Sequence, residues 1–181
     1  MELTEKTINS KTIFTGKILH VIHDDVELPN GSKAKREVVR HPGGVCIAAL
    51  DSENNLLFVK QFRYPYAEEV LELPAGKLEK GSTPLENGKR ELREETGAEG
   101  YSYISLGQVY PSPGYTDEIS HLYCCRVKEI GDSCPDEDEF LNIIKIPLEK
   151  AAEMVLNNQI PDAKTQVAVL KTLMLLQSGK I

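Results

Sequence analysis

Three glutamates lie within five positions of the stretch RELREETG, residues 90–97. In a helix, Glu91, Glu94 and Glu95 would stand at i, i+3 and i+4, and therefore on one face. Like charges at this spacing destabilise an isolated helix by about 0.2–0.5 kcal/mol per pair. The cluster could be a solvated acidic face, an ion-pair network with the interleaved arginines, or a site for Mg²⁺, a hard cation that often bridges carboxylates to substrate phosphates.

The surrounding residues predict the helix that would carry these carboxylates. Thr83 is a good N-cap, Pro84 suits the first helical position, and Glu86 completes a Thr-x-x-Glu capping box. Gly97 is placed to end the helix in a left-handed conformation. Gly88, in the middle of the helix, costs about 1 kcal/mol relative to alanine, which close packing against a neighbouring element would explain.

The rest of the chain predicts a mixed α/β fold. Residues 1–40 alternate as β-strands do, around a Pro-Asn-Gly hairpin signal. Further strands are predicted at 43–51, 55–63, 103–112, 118–127 and 140–147. Another strand begins at 70 and enters a glycine-rich loop that ends at 82. Helices are predicted at 148–157 and 163–177. This order is typical of a sheet that is mixed rather than purely parallel.

Length, charge and hydropathy narrow the class of protein. The 181 residues suffice for one ordinary domain, and a net charge of −7 argues against a nucleic-acid or membrane-surface partner. The N-terminus has no apolar run of signal-peptide length, and no stretch approaches the roughly 18 apolar residues of a spanning helix. We therefore expect a cytoplasmic protein, and the negative charge does not argue against a small polyanionic substrate if metal ions mediate the contact.

The cysteines and histidines do not predict a site. The four cysteines show no CxxC pair, which favours buried reduced thiols over a zinc site or a disulfide framework. Cys124 and Cys125 should point to opposite sides of a strand. The histidines, which also lack ligand spacing, are expected at the surface or in packing; they are His20, His23, His41 and His121.

A longer pattern around the glutamates resembles the Nudix box. From Gly76 the chain runs GKLEKGSTPLENGKRELREETGA, in which a glycine is followed at the expected distance by Arg-Glu-Leu-x-Glu-Glu-x-Gly. The resemblance favours the metal interpretation, because such proteins hydrolyse nucleoside diphosphates linked to another moiety. It implies Mg²⁺ as the cofactor, with Mn²⁺ as an alternative. One position departs from the box: the glutamate expected seventh, which supports the loop in the family, is Ser82.

The resemblance extends over nearly the whole chain to the ADP-ribose pyrophosphatase branch of Nudix hydrolases. The segments VKQFRYPY, ELPAGKLEKG, YPSPGYTDE and DEDEF resemble that branch, and Pro113 lies fifteen residues after Ala98, where the branch typically carries a proline. Taken alone, that segment would be an ordinary Pro-Gly turn. The resemblance implies a Nudix-type mixed sheet sandwiched between helices at 41–181 and a small N-terminal β-region at 1–40 that forms a homodimer. The implied reaction hydrolyses ADP-ribose to AMP and ribose 5-phosphate.

The resemblance also assigns roles around the metal. The Ala75 carbonyl, Glu91 and Glu95 match the main Mg²⁺ ligands, with Glu94 assisting. In the acidic loop, Glu137 matches the catalytic base and Glu139 a second carboxylate near the metals. Without the resemblance, solvated disorder would be the better interpretation of this loop.

Substrate contacts are implied at further positions. Arg63 matches a residue that contacts the substrate, while Arg36 and Glu37 match positions that approach the adenosine half from the partner subunit. Each arginine alone would more often be a surface residue. The remaining implied contacts are Leu78, Ser112, Pro113, Gly114 and Glu118.

Two alternatives to ADP-ribose hydrolysis stay open. A Nudix enzyme for another nucleoside diphosphate derivative would have the same fold and the same metal helix. A catalytically silent module that binds ADP-ribose would be consistent with Ser82. The intact glutamate trio and Glu137 count against the silent module, because a pure binder needs no general base.

Overall fold

The computed structural model describes residues 2–135 and 139–181. The chain forms two compact units. One comprises Met1–Gly43 and Tyr110–Ile119, and the other comprises Gly44–Val109 and Ser120–Ile181. The segment 110–119 thus belongs to the unit of the N-terminal strands, whereas sequence analysis grouped it with 41–181. The boundary at residue 40 stays a prediction.

The smaller unit is built on an antiparallel sheet of three strands in the order β1-β2-β3. Its strands are β1 (Lys6–Thr15), β2 (His20–Glu27) and β3 (Lys33–Arg40). The predicted hairpin joins β2 to β3, where Gly31 has a φ of 81° and Leu28 N–H donates to Ser32 O at 2.8 Å. The segment 110–119 docks on β3, because Val39 N–H donates to Tyr115 O at 2.7 Å and Asp117 N–H donates to Val39 O at 3.2 Å.

The larger unit contains a seven-stranded mixed sheet and three helices. Its elements are β4 (Gly44–Leu50), β5 (Asn55–Arg63), β6 (Glu68–Glu72), β7 (Ala75–Lys77), α1 (Pro84–Thr96), β8 (Ala98–Val109), β9 (Ser120–Ile130), β10 (Leu141–Pro147), α2 (Leu148–Leu156) and α3 (Ala163–Gln177). The strand order is β10-β5-β4-β9-β8, with β6 on β5 and β7 on β4. Only the β4–β9 pair is parallel among the described strands, which confirms the predicted mixed sheet.

Alternate residues of β4 pack on opposite sides of this sheet. Cys46, Ala48 and Leu50 join an apolar cluster with residues of α2 and α3, whereas Val45 and Ile47 join one with Leu92 of α1. Both faces are therefore covered by helices, which explains why β4 reads as one continuous apolar run. The predicted sandwich of a sheet between helices is confirmed.

The local signals around α1 are confirmed in detail. Thr83 Oγ1 accepts from Glu86 N–H, Glu86 Oε2 accepts from Thr83 N–H, and Gly97 ends the helix at a φ of 70°. Gly88 is buried against β4: a Cβ atom there would stand 2.6 Å from Ile47 Cδ1 and 2.9 Å from Val45 Cγ2. Close packing therefore accounts for the mid-helix glycine.

Strand β8 departs most from its prediction, since it starts at Ala98 and not at residue 103. Its pairing with β9 carries three register irregularities, and both Ser102 (φ 50°) and Gly107 (φ 89°) have left-handed backbones. These irregularities break the two-residue alternation that a sequence pattern needs. In the part of the chain that the structure describes, no helix combines the length and apolar character needed to cross a bilayer.

Candidate active site

The end of α1 and the short strand β7 bring the side chains of Glu91 and Glu95 against the backbone at Ala75 and Gly76. Glu95 Oε2 accepts a hydrogen bond of 3.1 Å from the backbone N–H of Ala75. Glu91 lies against Gly76, where a Cβ atom would stand 2.0 Å from the Glu91 carboxylate. The glycine therefore creates the space that this carboxylate occupies, and the two glutamates are only 8% and 2% exposed.

The buried carboxylates carry an electrostatic cost. Burial raises the pKa of Glu95 to about 8, the Ala75 N–H opposes the rise, and the charges of Glu91 and Glu139 add to it. Burial also raises the pKa of Glu91, and the charge of Arg90 opposes that rise. A cation between these oxygens would remove the repulsion and favour the ionised forms.

Glu94, the third glutamate of the trio, has different surroundings from the other two. It forms an ion pair with Arg90, which also donates to Glu91 at 2.5 Å, and its side chain is 35% exposed. Its backbone oxygen accepts from Cys134 N–H at 2.9 Å, which ties the start of the acidic loop to α1. The ion-pair interpretation of the cluster is thus correct for Arg90, and it coexists with a carboxylate pair at β7.

The loop that precedes α1 is held by a residue that sequence analysis missed. Asn87 is 1% exposed, accepts from Glu79 N–H at 3.1 Å and donates to the Thr83 carbonyl at 2.8 Å. Arg90 adds an ion pair of 3.3 Å to Glu79. Ser82 is exposed, and Asn87 together with the Thr83–Glu86 cap supplies hydrogen bonds that hold this loop. The sequence signal that could have found it is an asparagine in the first turn of the predicted helix.

Arg63 lies in a charged cluster at the end of β5. Its Nε and Nη2 donate to the two carboxylate oxygens of Glu72 at 2.6 and 2.7 Å. Lys164 of α3 donates to Glu72 Oε2 and to Asp162. Glu72 is 2% exposed. In the sequence, its buried position is indicated only by its place between the apolar residues Leu71 and Leu73.

Leu78, predicted to contact substrate, packs against the apolar cluster that contains Leu92 and Ile47. That position gives the side chain a packing role, since the same cluster fills the space between α1 and the sheet. A substrate contact at Leu78 stays a prediction.

The other predicted substrate residues lie in the smaller unit. Arg36 forms an ion pair of 2.6 Å with Glu5, and Glu37 is exposed on β3. The Ser112 carbonyl accepts from Tyr115 N–H at 3.3 Å, so hydrogen bonding shapes this segment as a turn. Pro113 and Gly114 are exposed within it, and Glu118 lies 3.9 Å from the ring nitrogen of His41.

The acidic loop is described only in part. The predicted base, Glu137, lies outside the described residues. Glu139 is exposed, and its charge acts on both Glu91 and Glu95. A role of Glu139 beside a metal stays a prediction.

The oxygen donors fit a hard divalent cation. Within residues 2–135 and 139–181, no group of three or more histidine, cysteine or acidic side chains forms a ready metal cage. Mg²⁺ does not require one, because it keeps several waters and uses one or two carboxylates together with substrate phosphates. The Glu91–Glu95 pair beside the Ala75 backbone, with the space at Gly76, offers that donor set.

The cysteine prediction is right for three residues and wrong for one. Cys46, Cys124 and Cys125 are buried, and the last two lie in different apolar clusters, as the strand geometry predicts. Cys134 is exposed and lies in the polar loop after β9.

Comparison with known proteins decides the family. The Nudix domain family matches residues 40–168. The chain belongs to the Nudix hydrolase family. The N-terminal domain of nucleoside diphosphate sugar hydrolases matches residues 5–39 of this Nudix protein, a range that covers the strands β1 to β3.

Relatives of this Nudix hydrolase align over nearly its whole length. It is 44% identical to the methanol dehydrogenase activator of Bacillus methanolicus, with 91% of this chain and 90% of that protein covered. It is 42% identical to the ADP-ribose pyrophosphatase of Bacillus subtilis strain 168, with 92% and 91% covered. It is 34% identical to the ADP-ribose pyrophosphatase of Mycobacterium tuberculosis, with 91% of this chain and 81% of that protein covered.

A solved structure supports the fold of the Nudix chain. The crystal structure of an ADP compounds hydrolase superposes with a TM-score of 0.84 over 100% of both chains, at 18% identity. At that identity the likeness concerns the fold alone, and it agrees with the sheet between helices described above.

Proposed function

We propose that this Nudix hydrolase cleaves the pyrophosphate bond of ADP-ribose, giving AMP and ribose 5-phosphate, with Mg²⁺ or Mn²⁺ as cofactor. The observation that carries the proposal is the buried Glu91–Glu95 pair beside the Ala75 backbone. It supports a metal at the point where the Nudix box predicts one. The two relatives named ADP-ribose pyrophosphatase support the choice of substrate.

The metal, when bound, would neutralise the diphosphate charge and activate a water molecule. Ala75, Glu91 and Glu95 would hold it, and Glu94 and Glu139 would assist. Arg90 keeps Glu94 beside the site through its ion pair. The hydrogen bond from the Ala75 N–H orients Glu95, so this ligand needs little reorganisation when the cation arrives.

Proton transfer would fall to the acidic loop. We infer that Glu137 accepts the proton of the attacking water, a contribution of about 10²–10⁴ in rate. Its neighbours Asp136, Asp138 and Glu139 are the competing candidates. A base on a separate loop keeps proton transfer apart from metal binding, which makes the two roles separable by mutation.

Substrate binding would use Arg63 together with a group of polar or turn-forming residues. That group comprises Arg36 and Glu37, which the partner subunit would supply, and Ser112, Pro113, Gly114 and Glu118. Homodimerisation through residues 1–40 and a cytoplasmic location belong to the same proposal.

Turnover of ADP-ribose in the presence of Mg²⁺, with AMP detected as a product, tests the activity. A parallel panel of ADP-glucose, NADH and 8-oxo-dGDP separates ADP-ribose from the other Nudix substrates. Preferred turnover of another compound would move the assignment within the family. Tight ADP-ribose binding without turnover of any compound would support the silent module instead.

Single substitutions separate metal ligands from the base. Glu95→Gln should raise the Mg²⁺ concentration needed for half-maximal activity and lower turnover. Glu137→Gln should lower turnover while Mg²⁺ dependence and ADP-ribose binding stay near wild type. If Glu139→Gln loses turnover and Glu137→Gln keeps it, the base lies two residues further along; if none of the four loop acids matters, the proton acceptor lies on α1.

A second candidate function comes from the Bacillus methanolicus relative, which is named a methanol dehydrogenase activator and is 44% identical to this chain. An effect on a methanol dehydrogenase is compatible with the same hydrolase site. The test compares the rate of methanol oxidation by that enzyme with and without this protein, using Glu95→Gln as the control. Equal rates of methanol oxidation without this protein, with the wild type and with Glu95→Gln would exclude this function.

A further inference from the structure

The charged cluster at the end of β5 combines groups from three separate elements. Arg63 closes β5, Glu72 closes β6, and Lys164 lies in the first turn of α3. Glu72 accepts hydrogen bonds from both Arg63 and Lys164. Asp162, the N-cap of α3, accepts from Lys164 at 2.9 Å. A carboxylate that is 2% exposed thus accepts three hydrogen bonds from two positively charged side chains.

Within residues 2–135 and 139–181, the hydrogen bonds of Arg63 use one edge of its guanidinium. Its Nε and Nη2 form the fork to Glu72 at 2.6 and 2.7 Å, which uses the side edge of the planar group. The end edge, with the outward N–H bonds of Nη1 and Nη2, points away from the fork because a guanidinium is flat and rigid. The Arg63 side chain is 40% exposed although Glu72 is buried, so an anion can approach it.

The cluster also lies within electrostatic reach of the proposed metal ligands. The charge of Glu95 raises the pKa of Arg63, and the charge of Glu72 adds to the raised pKa of Glu95. Along the chain, Glu72 precedes Ala75 by three residues, and Leu73 N–H, between them, donates to Thr165 Oγ1 at 2.9 Å. The free edge of Arg63 and the Glu91–Glu95 pair therefore belong to one region of the larger unit.

We propose that Glu72, held by Lys164, is a positioning residue that fixes Arg63 so that its end edge binds phosphate oxygens of the substrate. This rests on the proposed function, because it names the group that orients one of its substrate contacts. A free arginine loses rotamer freedom when it binds an anion, whereas an arginine already held by a fork has lost that freedom on folding. The fork should therefore strengthen substrate binding and leave the chemical step nearly unchanged.

The test compares Glu72→Gln with the wild type. A glutamine offers one acceptor oxygen and an NH₂ group that repels the donors of Arg63, so the fork is lost while the shape is kept. We expect the KM for ADP-ribose to rise about 10–100-fold, the scale of a lost charge-assisted contact, with kcat changing less than about threefold. Thr165→Val is the matched control, because it removes the Leu73 hydrogen bond at the same junction and leaves the fork. It should lower thermal stability without changing KM.

A double-mutant cycle separates positioning from general structure. If Glu72 acts through Arg63, adding Glu72→Gln to Arg63→Ala should leave KM where Arg63→Ala alone puts it. Additive effects on KM, or an unchanged KM in Glu72→Gln, would overturn the proposal. If Glu72→Gln does not fold, Arg63→Ala supplies the test: millimolar guanidinium, which can refill the fork, should restore part of the affinity, and methylammonium should not. Equal rescue by both ions, or by neither, would contradict the fork.

Binding measurements keep this test independent of the proposed activity. The affinity of each variant for inorganic pyrophosphate, measured by calorimetry, should follow the same order as KM. If the wild type hydrolyses no nucleoside diphosphate derivative, the proposed function fails, and the pyrophosphate affinities still decide whether Glu72 positions Arg63. Unchanged affinity in Glu72→Gln would reject the inference even if ADP-ribose is turned over.

Discussion

At the residue scale, the protonation of Glu95 makes the stability of the fold depend on pH. Burial raises its pKa from 4.5 to about 8, so the folded protein holds this proton more tightly than the unfolded chain. The stability that the group contributes is therefore present at low pH and is lost as the pH rises from about 4.5 through about 8. Mg²⁺ would replace the proton at neutral pH.

Substitution of Glu95 by glutamine removes this pH dependence. In metal-free protein, Glu95→Gln should raise the melting temperature clearly at pH 8 and much less at pH 5, because glutamine keeps the Ala75 hydrogen bond without the buried charge. Thermal unfolding at the two pH values measures the difference. Glu129→Gln, an exposed change on β9, is the control. An equal shift at both pH values would argue against a buried, proton-binding Glu95.

Gly76 sets the position of the other buried carboxylate, Glu91. In Gly76→Ala the new Cβ atom would stand 2.0 Å from the Glu91 carboxylate. The end of a side chain can move, so we expect a small change in melting temperature. The displaced ligand should raise the Mg²⁺ concentration required for half-maximal activity roughly tenfold, the scale of about 1.4 kcal/mol. Gly131→Ala, whose Cβ would have its nearest neighbour at 3.8 Å, should leave that concentration unchanged.

At the element scale, the packing of α1 on β4 depends on Gly88. Alanine is intrinsically the better helix former by about 1 kcal/mol, yet its Cβ would stand 2.6 Å from Ile47 Cδ1. Overpacking of a dense core costs about 1–3 kcal/mol. We therefore expect Gly88→Ala to lower the free energy of unfolding, as measured by denaturant titration.

A second substitution checks the cause of that loss. Ile47→Val removes the Cδ1 atom, so it should recover part of the stability when combined with Gly88→Ala, although alone it destabilises. If the two changes are simply additive, the close contact is not what disfavours alanine at this position.

At the scale of the whole molecule, the N-terminal sheet predicts association. All ten residues of β1 are exposed, and Ile8, Ile13 and Phe14 are 52%, 56% and 56% exposed. A long exposed strand with apolar side chains at a sheet edge is a template for pairing with another chain. A second copy of this chain would cover it, which agrees with the proposed role of Arg36 in a partner's site.

Sedimentation at micromolar concentration measures this association. The wild type should sediment as a dimer, and Ile13→Lys should shift it toward the monomer and raise the KM for ADP-ribose. Leu156→Lys changes a residue that is 73% exposed at the end of α2, and it should leave both properties unchanged. A wild-type monomer with full activity would contradict the dimer.

The sequence by itself determined the elements whose signals are local. The capping box of Thr83 and Glu86, the stop at Gly97 and the apolar run of β4 depend on neighbours within a few residues. Such signals act through short hydrogen bonds and side-chain periodicity, so their pattern is visible in one dimension. The spacing of the Nudix box likewise placed Glu91 and Glu95 on one helix before any contact was known.

Only the tertiary structure decided which of these residues act together. It placed Glu95 against Ala75, twenty residues earlier, left Glu94 with Arg90, put Leu78 into an apolar cluster, and joined 110–119 to the N-terminal strands. It also made the Glu72–Lys164 pair, which is separated by 92 residues. Contacts at such separations depend on how strands and helices stack, and no local propensity encodes that. The sequence therefore predicts which residues could carry the chemistry, and tertiary packing determines which other residues hold them in position.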